Sequence, residues 1–173
     1  NPFFEISASV TMFDTGGSCG ELKDKFGILP QGDILKCLLA LSRNEKITRE
    51  IFLKRIIDTN PPGHTGGNIL LLGLEKVYGS LTTAVNALGE ILSASGKVYP
   101  VTLDKSTLCA EFSDGSVLKG DTMIDMGIFE GKKLNKLFLN PNIKANPRAL
   151  AAIKKADMLI FGPGSFYTSL LPN

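Results

Sequence analysis

Twice in this chain an apolar stretch of strand character runs directly into glycine. Ile6, Ala8, Val10 and Met12 alternate with Ser7, Ser9 and Thr11, the period of a strand with two unlike faces. The stretch ends in Asp14-Thr15-Gly16-Gly17-Ser18-Cys19-Gly20, and Glu21 to Phe26 then reads as a short helix. Near the other end, Met158 to Phe161 reads as a buried strand that breaks at Gly162-Pro163-Gly164-Ser165, with a helix expected to follow. Strand, glycine-rich loop and helix in that order is the building unit of an open α/β sheet. The economical fold is a three-layer α/β/α sandwich with a mostly parallel sheet.

Helices fill most of the space between. The loop Pro30-Gln31-Gly32-Asp33 opens a strongly apolar helix over Ile34 to Ser42, with Asp33 placed as its N-cap. Ile47, Ile51, Phe52 and Ile56 fall at helical spacing, predicting a helix from Thr48 to Asp58. After the breaker-rich loop Asn60-Pro61-Pro62-Gly63-His64-Thr65-Gly66-Gly67, Asn68 begins a helix to Tyr78, and Ser80 caps another through Leu92. The pattern then changes. Four short strands, Val98–Leu103, Thr107–Phe112, Val117–Lys119 and Leu134–Leu139, predict a small antiparallel element around residues 97–139, with Asp114-Gly115 as a two-residue hairpin turn. Pro147 leads a last helix to Lys155.

Charge and cysteine content narrow the function classes. Nineteen basic and 17 acidic residues give +2, too balanced to argue for a nucleic-acid partner. No apolar run approaches the ~20 residues of a membrane helix. Three cysteines, at 19, 37 and 109, make neither a zinc-ligand pair nor a disulfide framework and point to a reducing, cytoplasmic setting. Cys37 and Cys109 fall in apolar stretches and read as core. Cys19, in the glycine loop, is the one cysteine placed to be considered as a nucleophile. The chain opens Asn1-Pro2-Phe3 and stops at Leu171-Pro172-Asn173, directly after a motif. It reads as one domain over 1–173, the central piece of a protein of about 300 residues.

Glycine loops beyond strand ends let backbone amides approach an anion, and a following helix adds partial positive charge. Gly16, Gly17 and Ser18 form one such loop, Gly162, Gly164 and Ser165 the other; tight turns are the plainer reading of each. Neither matches the P-loop lysine pattern or the dinucleotide fingerprint. His64 is the single histidine, a catalyst or a hydrogen-bonded structural residue. Asn68 is either a ligand contact or an N-cap. Asp14 and Asp33 sit at loop positions where a carboxylate binds a metal, a ribose hydroxyl or a helix amide. Phe166 and Tyr167 either stack on a ring or pack.

Together the loops are more specific than any one alone. Val10-Thr11-Met12-Phe13-Asp14-Thr15-Gly16-Gly17-Ser18-Cys19-Gly20, Gly27-Ile28-Leu29-Pro30-Gln31-Gly32-Asp33, Gly63-His64 to Gly67-Asn68, Tyr99-Pro100-Val101-Thr102-Leu103 and Gly162-Pro163-Gly164-Ser165-Phe166-Tyr167-Thr168-Ser169 resemble the YvcK branch of the CofD-like family, the gluconeogenesis factors. The resemblance runs from Ile6 to Asn173. It implies a Rossmann-like fold with the ligand at the carboxyl edge of the sheet.

The resemblance also implies two functions. The first is a regulatory protein of carbon metabolism and cell-wall precursor supply that binds a UDP-sugar such as UDP-N-acetylglucosamine. In it, amides of Gly16, Gly17, Ser18, Gly164 and Ser165 hold the diphosphate, and Asp14, His64 and Asn68 orient sugar or ribose hydroxyls. The alternative is a transferase moving a phospholactyl group from a GDP-linked donor to a deazaflavin. It would use a divalent cation on Asp14 or Asp33, with His64 as acid or base. No other cofactor is implied, and a homo-oligomer is compatible with either reading.

The sequence also departs from the family pattern. Thr15 stands where the family has a second aspartate, Cys19 where it has serine, and Glu21 where a basic residue is common. The family's opening strand with its Gly-Gly-Gly-Thr-Gly loop does not occur within these residues, and neither does the region that follows the last motif.

Overall fold

A computed structural model describes residues 3–15, 27–56 and 63–173. The expected helix Glu21–Phe26 and the loop Gly16 to Gly20 lie outside the described residues. The described residues fall into two compact units, Asn1–Val10 with Gln31–Pro100 and Thr11–Pro30 with Val101–Asn173. The class is mixed α/β with a parallel sheet and a small antiparallel sheet, as expected.

The first unit holds strands β1 (Ile6–Val10) and β2 (Gly96–Pro100) and helices α1 (Gly32–Ala40), α2 (Glu45–Leu53), α3 (Gly66–Tyr78) and α4 (Leu81–Ile91). β1 and β2 pair in parallel, from Ile6 opposite Gly96 to Val10 opposite Pro100. The segment expected to begin the antiparallel element is therefore an edge of the parallel sheet. α1 buries Ile34, Leu35, Leu38 and Leu39, the stripe that helical period puts on one face. α1 touches the other three helices and both strands, so it is the core of the unit. Each such side chain contributes ~1.5–3 kcal/mol by leaving water. On the same helix Cys37 is half-buried; burial, and then the nearby Asp33 charge, push its thiol pKa up, which keeps it neutral.

Two helix starts differ from expectation. Gln31, not Asp33, occupies the N-cap position of α1, and Asp33 lies in the first turn, where its carboxylate accepts from Lys36 Nζ at 2.8 Å. α3 begins two residues before Asn68 because Thr65 is the cap, its hydroxyl accepting from the Asn68 amide at 3.3 Å. A hydroxyl on an extended residue three positions upstream is the standard N-cap geometry. Ser80 caps α4 as predicted, through Thr83 N.

The second unit holds β3 (Thr107–Phe112), β4 (Val117–Lys119), α5 (Asp121–Phe129), β5 (Leu134–Asn140), α6 (Pro147–Lys155) and a terminal π-helical turn, Phe166–Leu170. Its sheet is antiparallel in the order β4-β3-β5. Phe13, Leu108, Ala110, Phe112 and Ile124 form its core. The β3–β4 hairpin turns through Ser113-Asp114-Gly115, one residue more than predicted: Gly115 N donates to Phe112 O, Phe112 N donates to Ser116 O, and Gly115 has φ +81°. α5 has no counterpart in the sequence reading. Its interior Gly127 argues against a helix on propensity, yet a Cβ there would lie 2.7 Å from Leu118 Cδ1 and 3.2 Å from Phe112 Cζ. Packing on the sheet requires the glycine. Met158–Phe161 is neither a strand nor buried; its four side chains are 52–85% exposed and no described strand pairs with it. Among the described residues no helix is long and apolar enough to cross a membrane.

Packing and the hairpin each yield a test. A Cβ on Gly67 would lie 2.5 Å from Leu35 Cδ2 and 3.0 Å from Phe52 O, whereas one on Gly73, in the same helix, meets nothing within 4 Å. Gly67→Ala is expected to destabilise by ~1–3 kcal/mol through overpacking, and Gly73→Ala to stabilise by ~0.4–1 kcal/mol, read as opposite shifts of the urea midpoint. In the hairpin, hydrogen bonds from the Ser116 hydroxyl and amide, then one from Lys132, hold the Asp114 carboxyl well below the usual carboxylate range. A depressed carboxylate contributes fully above its unfolded pKa of ~3.9 and loses that contribution as pH falls toward the folded value. Asp114→Asn should flatten this acid-side dependence in a pH series of denaturation midpoints.

Candidate functional site

In the second unit, buried Met12 and Phe13 bring the chain out of the core at Asp14 and Thr15, both partly exposed. Thr15 is held by α5: its amide donates to Asp121 Oδ1 at 3.0 Å and its hydroxyl donates to the same oxygen. Gly120, just before Asp121, makes this approach possible. Its φ is +86°, and a Cβ would lie 2.7 Å from Thr15 Oγ1. Asp121 also sits in the first turn of α5, where a carboxylate interacts favourably with the helix dipole.

One turn further along α5, Asp125 holds the other motif. Ser165 Oγ donates to its Oδ1 at 2.9 Å and Thr168 Oγ1 to its Oδ2 at 3.0 Å. Ser165 Oγ in turn accepts from the Thr168 amide at 3.4 Å and caps the π-helical turn. Gly162 and Gly164 have φ of +116° and +147°, the region that favours glycine. Tyr167 meets Phe166 edge to face with centroids 5.2 Å apart. Among the described residues, the amides of Gly164 and Ser165 donate to no acceptor. An open cleft of about 470 Å³ runs along α5, lined by Asp121, Thr122, Asp125, Met126, Phe129 and Glu130. Three carboxylates make that wall unfavourable for a phosphate.

The remaining expected residues belong to the first unit. His64 lies in a loop fastened to the chain after α2: Ile56 N donates to His64 O at 3.1 Å, Arg55 Nη1 to Gly63 O at 2.5 Å, and Arg55 bridges Thr65. That bridge is why α2 stops at Leu53 rather than running on to Asp58. Asn68 is buried in the first turn of α3, and Asp33 pairs with Lys36 at the surface. Thr102, from another motif, is buried and donates to Lys144 O at 2.8 Å, fixing a loop rather than offering a ligand contact. Gly16, Gly17, Ser18 and Cys19 lie outside the described residues. Among the described residues no group of three His, Cys, Asp or Glu side chains is placed to hold a metal ion.

Asp121 and Asp125 were not legible as site residues. The one available signal was a pair of acids spaced i,i+4 after a glycine, and it carries meaning only once residues 121–129 are known to be helical.

The fold and these loops define a mixed α/β protein whose two glycine-bounded motif segments are fastened to one acidic helix. The chain belongs to the CofD family: the family model described as 2-phospho-L-lactate transferase CofD matches residues 3–173. It is 39% identical over 170 residues to the gluconeogenesis factor of Listeria innocua, covering 97% of this chain and 52% of that protein. It is 43% identical to a putative gluconeogenesis factor of Nostoc, covering 37% of it. A crystal structure of a UPF0052-family protein from Bacillus halodurans superposes with a TM-score of 0.88 at 37% identity, covering 97% of this chain and 54% of that one. The chain spans about half the length of the curated relatives it matches.

Gly120→Ala should force Thr15 away from Asp121 and cost about 1–3 kcal/mol in strained backbone. Denaturant unfolding measures the loss; a midpoint equal to wild type would show that the approach needs no glycine.

Proposed function

We propose that this chain is the nucleotide-sugar-binding part of a regulatory, YvcK-like member of the CofD family, acting in the cytoplasm as one domain with UDP-N-acetylglucosamine or a similar UDP-sugar as ligand. The observation that carries the reading is the segment Gly162–Thr168. Two positive-φ glycines and the Asp125 network hold it in a fixed shape, while the Gly164 and Ser165 amides donate to nothing among the described residues. Backbone amides presented at a glycine loop are a general way to take up a phosphate. Asp14 and Tyr167 belong to the same unit and serve in this reading as a hydroxyl acceptor and a stacking ring. Gly16, Gly17 and Ser18 keep the expected diphosphate role, His64 and Asn68 the hydroxyl-orienting one, and Asp33 that of a loop carboxylate open to the ligand or a cation, as the resemblance implies them.

The reading requires only ground-state complementarity and assigns no reaction. A ligand at one hundred times its dissociation constant stabilises a fold by about 2.7 kcal/mol. A thermal-shift series with UDP-N-acetylglucosamine, UDP, GDP and a deazaflavin should therefore raise Tm with the uridine nucleotides. No uridine response would reject the proposal. A response to GDP and the deazaflavin alone would favour the transferase that the matched family description names. Alanine at His64 or Asn68 should weaken the uridine response without lowering the ligand-free Tm as far as Gly67→Ala does.

A further inference from the structure

We propose that Asp121 and Asp125 are positioning residues: α5 is a latch that fixes both motif segments, and the Ser165 hydroxyl serves the latch rather than the ligand. The second clause rests on the binding reading above; the first does not.

The argument is one of donor and acceptor accounting. An ionised carboxylate accepts only, through two oxygens. Asp125 uses one oxygen on Ser165 and the other on Thr168, at 2.9 and 3.0 Å. A serine hydroxyl has one proton. At Ser165 that proton is directed to Asp125, and the oxygen accepts the Thr168 amide. Ser165 Oγ thus has nothing left to donate to a phosphate, and its contribution to an anion must come from its amide. Thr168, the third member, is buried, so the network is shielded on at least one side from water. Hydrogen bonds to a charged acceptor are roughly twice as strong as neutral ones. Asp121 repeats the arrangement on Thr15, taking both its amide and its hydroxyl.

The spacing matters as much as the bonds. Positions i and i+4 share a face of a helix, so Asp121 and Asp125 present their carboxylates along one side of α5. A rigid helix then sets where Thr15 stands relative to Ser165. Each segment is held by side chains from outside itself, and each carboxylate can be removed without touching the segment it holds.

The test combines hydrogen exchange of the ligand-free protein with a double-mutant cycle, titrating UDP-N-acetylglucosamine. Asp125→Ala should speed exchange of the Thr168–Leu171 amides at least tenfold and weaken nucleotide affinity about tenfold. Asp125→Asn, which retains one acceptor oxygen, should recover part of both. Ser165→Ala should behave like Asp125→Ala, and the double variant should bind within about twofold of either single one, because both changes break one network. Losses that multiply in the double variant would mean that Ser165 contacts the ligand directly, which overturns its assignment to the latch. Unchanged exchange in Asp125→Ala overturns the latch itself. If the wild-type protein binds no nucleotide, the binding reading fails, and the exchange result alone supports or rejects the latch.

Discussion

Two carboxylates one helical turn apart on α5 hold what is distinctive in the second unit. Their partners are a threonine at the end of the first strand motif and a serine and threonine from the last glycine loop, separated in sequence by about 150 residues. Acids beside a loop expected to take an anion seem misplaced until their lone pairs are counted. Asp125 accepts two hydroxyl donors, and Asp121 accepts an amide and a hydroxyl. Each carboxylate is thereby occupied by donors from the segment it holds. In the arrangement proposed, the acids act on the loops as scaffold and the backbone amides are left for the ligand.

Much of this molecule was legible in its sequence, and the misses have physical reasons. Period-two alternation marked β1, and the apolar stripe marked α1, because both signals are local. Ser80 as a cap was equally local. Asp33 and Asn68 failed as caps because a sequence window offers several polar residues before an apolar run, and backbone geometry selects among them. At α3 it selected Thr65, whose extended backbone puts the hydroxyl within reach of the Asn68 amide. α5 was missed because its glycine lowers helix propensity and its determinants, Leu118 and Phe112, lie on other elements. Met158–Phe161 shows the converse error: an apolar run predicts burial, yet a strand exists only where a neighbour supplies its ladder.

The glycines separate into two kinds once coordinates replace pattern. Gly67 belongs to a segment that resembles a ligand loop, but its surroundings are Leu35 and the Phe52 carbonyl. It is there so that α3 can close on α1 and α2. His64 precedes it in a loop pinned by the Arg55 guanidinium on Gly63 O and the Ile56 amide on His64 O. The geometry of that loop is accounted for by folding requirements before any ligand is invoked. Gly162 and Gly164 are different. Their positive φ builds a turn whose Gly164 and Ser165 amides have no described acceptor. The functional proposal therefore rests on the Gly162–Ser165 loop.

Thr15 sharpens the choice between binding and transfer. The family resemblance implies a second aspartate at this position, adjacent to Asp14. In this fold an aspartate there would set its carboxylate against Asp121, which now accepts both the Thr15 amide and hydroxyl. Like charges at hydrogen-bond distance cannot both stay ionised without a cation between them. Threonine removes that conflict and supplies two hydrogen-bond donors to one Asp121 oxygen. A protein that only binds its nucleotide can make this exchange, since ground-state recognition needs shape and donors. A transferase that relies on a cation to stabilise a migrating phosphate would lose part of the charge that holds the ion. The threonine and its partner on α5 are thus coherent with each other and with the binding role proposed above.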